Sequence, residues 1–142
     1  FVYGRLPLAY SARCFTARHH NLPKDDCQYR CLDYPEGLTL STREGQAFLA
    51  INGIQTQSAQ TCNLLPELAE LRELKVDVLR VSPQPEGTET VIEAFAACLR
   101  GERDPLEAAR VLNAGLPYGA CDGYWQGQPG LRQVVAIPGL LI

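Results

Sequence analysis

Three cysteines, Cys14, Cys27 and Cys31, carry the strongest chemical signal in this 142-residue chain. Twelve residues separate the first two and three separate the last two. Thiolate sulfur is a soft donor that holds zinc and iron–sulfur clusters far better than hard cations. Both kinds of centre normally take four protein ligands, so three on one segment require a fourth from elsewhere. Arg13, Arg18, Lys24 and Arg30 surround the trio, and Asp25 and Asp26 are the only acids from Phe1 to Gln28. That positive shell suits a centre built from several thiolates, or an anionic substrate; a solvated basic face has the same pattern.

The remaining reactive side chains make weaker patterns. His19 or His20 would complete a zinc site of mixed sulfur and nitrogen ligands. Cys98 falls on the apolar stripe of a predicted helix, where a thiol acts as a small hydrophobe, and Cys62 reads as structural too. Cys121, beside Asp122 and Gly123, is the alternative fourth donor. Ser58 and Thr61 have no base partner in view, so a hydrolytic triad is not assembled. No glycine-rich phosphate loop follows Gly4 or Gly53. Tyr124-Trp125 reads as core or loop packing, with stacking on an aromatic ring as the alternative.

The bulk composition sets outer bounds. Apolar residues at 46% and charged residues at 20% describe an ordinary globular chain long enough for a single domain. Net charge is −3, which speaks against general nucleic-acid affinity. Six cysteines could pair as disulfides in a secreted protein, but three within eighteen residues fit a metal site in the reducing cytoplasm better. No apolar run is long enough to span a bilayer. The chain starts directly in strand-like Phe1-Val2-Tyr3 and holds no Met, so the expectation is a piece of a longer chain without a signal peptide.

These side chains need elements to position them. Phe1 to Arg5 reads as a short strand ended by Gly4 and Leu6-Pro7. Residues 8–44 form a long cysteine-bearing loop with one short helix, a length that is uncommon unless functional or tied by metal. Ala47 to Ile51 and Val76 to Val81 are continuous apolar runs, read as parallel strands buried on both faces. Helices are predicted from about Pro66, from Thr88 to Arg100, and from an Asp104 cap to about Asn113 or Gly115. Residues 45–115 thus read as βα units and residues 116–142 as a loop and apolar tail. The expected fold class is α/β, a partial (β/α) barrel of TIM type.

A resemblance sharpens this. Tyr3-Gly4-Arg5-Leu6-Pro7-Leu8-Ala9-Tyr10-Ser11-Ala12-Arg13-Cys14-Phe15-Thr16-Ala17-Arg18 resembles the cysteine segment of the U-32 peptidase family, the collagenase-like proteases and their relatives. Asn52-Gly53-Ile54-Gln55-Thr56, Arg80-Val81-Ser82-Pro83-Gln84 and Gly123-Tyr124-Trp125 are similar to the branch that serves oxygen-independent ubiquinone biosynthesis. The resemblance implies the C-terminal half of a family barrel. It implies a 4Fe-4S cluster held by Cys14, Cys27 and Cys31, with its fourth cysteine in an N-terminal half that this sequence lacks. It implies anaerobic hydroxylation of a ubiquinone-ring precursor, in a heterodimer with a UbiU-type paralogue and with a lipid-carrier protein as a further partner. The other readings are an RNA-hydroxylating or peptidase-like relative of the same family, and a zinc-stabilised binding module without catalysis.

Overall fold

In a computed structural model, residues 1–131 are described. Of the expected apolar tail, residues 132–142 lie outside them. The chain runs as β1 (Tyr3–Tyr10), α1 (Phe15–His19), a 3-10 turn (Arg30–Asp33), β2 (Leu38–Ser41), β3 (Ala47–Asn52) and β4 (Gln55–Asn63). A 3-10 turn (Leu65–Glu67) then leads into α2 (Leu68–Glu73), α3 (Thr88–Arg100), α4 (Pro105–Ala114) and β5 (Ala120–Cys121).

The five strands form one open sheet in the order β1-β4-β3-β2, with β5 added beside β4. Every pair is antiparallel except β4 with β5. The parallel barrel expected from the continuous apolar runs is therefore not the fold. Ala47–Asn52 is a strand, but it joins β4 through the two-residue loop Gly53-Ile54, with Gly53 at φ 60°. Primed hairpin turns want glycine at that first central position, and they connect antiparallel neighbours only. Only Ala50 and Ile51 of β3 are buried, while Phe48 is exposed. Residues 45–115 are accordingly a hairpin followed by three helices, not repeated βα units.

Val76 to Val81 is not a strand. Val76 and Val78 are exposed, and only Val81 makes a bridge, parallel to Tyr3. The other side of that bridge needs Gly4. A Cβ at Gly4 would stand 2.6 Å from the Ser82 Cβ, and its φ of 122° is one that side chains resist. β1 itself continues past the expected stop, because register shifts on either side of Pro7 take the residue that has no N–H to donate.

The helices follow their sequence signals more closely. Asp104 Oδ1 accepts from the Glu107 N–H at 2.8 Å and Pro105 opens α4. Thr88 starts α3, while the cap position is Gly87. Leu65, Leu68, Leu71, Val91, Ala94, Phe95, Cys98, Ala108 and Ala109 form the core against Val2, Tyr3, Cys62 and Cys121. The helical layer covers the end of the sheet where β1, β4 and β5 meet. The opposite end is left to the cysteine segment, whose α1 packs on β3.

Candidate functional site

The segment that carries the three cysteines leaves the sheet at the tip of β1. The β3–β4 turn anchors its start: Ser11 N–H donates to the Ile54 carbonyl and Phe15 N–H to the Gly53 carbonyl, each at 2.8 Å. Cys14 is the N-cap of α1, and its sulfur accepts from the Ala17 N–H at 3.4 Å. A cavity of about 210 Å³ opens beside it, with Arg13, Arg18 and Lys24 in the wall and no acidic residue. Three of the four cations read from the sequence are therefore gathered around Cys14, while Arg30 pairs with Asp33 instead.

Beyond α1 the chain folds back. Gln28 and Tyr29, directly after Cys27, both take left-handed backbone angles, at φ 52° and 51°. Two such non-glycine residues in succession store strain of order 1 kcal/mol or more each. They turn the chain into the 3-10 turn that holds Cys31, whose thiol donates weakly to the Tyr29 carbonyl at 3.8 Å. Tyr29 and Leu32 are left exposed.

The return is fastened at two points. Tyr34 Oη and His20 Nε2 are 3.0 Å apart, with the His19 ring edge-on to both rings. Glu36 is held by Arg5, through its carboxylate at 2.6 Å and also through its backbone carbonyl. These fastenings explain how residues 11–37 keep a defined path with little regular structure. Arg5 and Glu36 are the members of the arrangement that sequence reading missed. Thirty-one positions separate them, and a pair at that distance leaves no periodic trace.

All six cysteines are free, and they divide into two classes. Cys14, Cys27 and Cys31 are half-buried; Cys62, Cys98 and Cys121 are buried in the core. Burial, the largest cause, pushes the Cys62 thiol up to about 12, and it raises Cys98 and Cys121 as well. A thiol so shielded stays protonated and inert. Cys121 lies opposite Cys62 on β5 and sits in this core class.

The cysteines expected as ligands share one segment, but they are not gathered. Among the described residues, no three His, Cys, Asp or Glu side chains stand together in a group that could hold a metal ion. The same holds for the zinc alternative through His19 or His20, since His20 instead engages Tyr34. The trio fits a thiolate-held centre by donor type and accessibility, and it does not fit by placement.

No family model and no solved structure matches this chain. No helix among the described residues is long and apolar enough to cross a membrane.

Proposed function

We propose that this chain is the cysteine-bearing part of an iron–sulfur protein of oxygen-independent ubiquinone biosynthesis. On this reading it is similar to the U-32 family protein UbiV, works in the cytoplasm, and acts in the hydroxylation of a ubiquinone-ring precursor with a UbiU-type paralogue. The hydroxylation, the compartment and the paralogue rest on the resemblance carried by the Tyr3 to Arg18 stretch. One structural observation supports the metal centre. The three accessible thiols all lie between β1 and β2, and three cations line the cavity at Cys14.

That partition is what a cluster protein needs. Cluster ligands must deprotonate and be reached by iron, whereas core thiols need only fill space. Cations close to the thiolates offset the negative charge of such a centre. Forming the centre requires the trio to be drawn together, and a fourth donor must come from outside the segment.

Anaerobic reconstitution with ferrous iron and sulfide, on the full-length protein together with its paralogue, tests the reading. Supporting results are stoichiometric iron and acid-labile sulfide, a thiolate-to-iron absorption band near ~400 nm, and loss of both in Cys27→Ala. Bound zinc without iron or sulfide, or a band that survives the loss of Cys27, overturns it.

A further inference from the structure

Where β1 meets residues 80–82, the structure builds a second polar cleft of about 210 Å³, away from the cysteines themselves. The two guanidinium groups in its wall differ in how they are held. Arg5 is fixed: its side chain is 10% exposed, Glu36 holds it, and it lies 5.9 Å from the centre of the Tyr118 ring. Arg80 is exposed, resting 5.1 Å from the centre of the Phe1 ring. Gln55, Gln57 and Ser82 line the same cleft, and Glu36 lines the adjoining pocket that shares Arg5, Gln57 and Ser82 with it. Gln57 Nε2 donates to Gln55 Oε1 at 2.7 Å, which fixes the two amides against each other.

A cleft with two cations, two side-chain amides and a hydroxyl in its wall, and with one carboxylate, Glu36, already bound to Arg5, has Arg80 as its uncompensated charge and favours an anionic guest. The guanidinium fork matches the oxygen spacing of both carboxylate and phosphate, and its charge is not lost at any ordinary pH. We propose that this cleft binds a small anion through one carboxylate or phosphate group, with Arg5 as the preset donor and Arg80 as the clamp. Because Glu36 accepts from both terminal nitrogens of Arg5, through its carbonyl and its carboxylate, an arriving oxyanion competes with it. Glu36 lies two residues beyond Tyr34, so occupancy of the cleft is linked to the fastening of the cysteine segment. The site does not depend on the iron–sulfur reading.

Titration of the ¹⁵N-labelled chain with sodium acetate, and separately with inorganic phosphate at matched ionic strength, tests it. The readouts are the arginine Nε–Hε resonances and the amides of Gln57 and Ser82. Saturable shifts are expected with at least one anion; saturation by acetate alone assigns a carboxylate ligand, and by phosphate alone a phosphate. Arg80→Ala should weaken binding about tenfold or more, the loss of one charge-assisted contact, and Arg80→Lys should weaken it less. The exposed Arg103, outside the cleft, serves as control, and Arg103→Ala should change nothing. Shifts that stay linear for both anions, or saturation that survives Arg80→Ala in a chain of unchanged circular dichroism, overturn the proposal.

Discussion

Cys62 and Cys121 face each other in register across β4 and β5, the only parallel strand pair among the described residues, and both are fully buried. Burial is the main reason the Cys62 thiol is pushed up to about 12, with Cys121 and then Asp122 adding to it. The pair closes the core where the helices meet the sheet, which gives it consequences for both stability and reactivity.

The first consequence is alkaline sensitivity. An unfolded cysteine titrates near ~8.5, well below the folded value for Cys62. The stabilisation from keeping this thiol neutral is complete below the unfolded value and is lost as pH rises towards about 12. Urea midpoints should therefore fall steadily above pH ~9. Cys62→Ala should flatten that slope even though it costs some stability at neutral pH. An unchanged slope would show that other groups govern the alkaline transition.

Thiol reactivity should divide three and three. Iodoacetamide at mildly alkaline pH should modify Cys14, Cys27 and Cys31 first, because they are the cysteines that solvent reaches in the folded chain. Cys62, Cys98 and Cys121 should lag by about tenfold or more until denaturant is added, because they react only through opening of the core. Peptide mass spectrometry against time reads this directly. Rapid modification of Cys62 or Cys121 would contradict the packing described.

Gly4→Ala should destabilise by about 1–3 kcal/mol, through a left-handed φ and a contact that has no room for a methyl group. Chemical denaturation measures the loss. The amide of Ser82, which donates to the Tyr3 carbonyl at 2.8 Å, should lose hydrogen-exchange protection at the same time. A neutral outcome would mean that residues 80–82 do not dock against β1.

Burial raises the carboxyl of Glu67 above its usual range, with Asp122 and then Glu70 adding and the Gln126 hydrogen bond opposing. Folding thus favours its protonated form, and the charged form costs stability once pH rises through the folded value. Glu67→Gln should stabilise the chain at pH ~7, and the gain should vanish well below the ordinary carboxylate range near ~4.3. Partial exposure limits the gain to about 0.5 kcal/mol. Urea unfolding of both proteins at two pH values gives the difference.

Local chemistry was legible in the sequence wherever one or two turns of chain decide the outcome. The Asp104-Pro105 start of α4, the Thr88–Arg100 helix and the core role of Cys98 all follow from caps, glycines and 3.6-residue spacing. β4 was not legible as a strand, because Gln55 to Gln60 is polar and looks like a loop. A signal was present nonetheless: glycine at the first place of the two-residue loop Gly53-Ile54, between an apolar run and a threonine- and glutamine-rich one, is a hairpin mark. The apolar runs suggest parallel strands, but the turn at Gly53 joins Ala47–Asn52 to its neighbour as an antiparallel hairpin, so no barrel forms.

The sequence by itself determined that three thiols and several cations share one short stretch of chain, Cys14 to Cys31. Helix and cap formation were also decided there, because those interactions span only four or five residues. Only the tertiary structure decided the antiparallel order, which thiols stay accessible, and the pairing of Arg5 with Glu36 and of Cys62 with Cys121. Those relations join residues tens of positions apart. Their energy comes from packing and desolvation at places where separate elements meet, and no local pattern records where that will be.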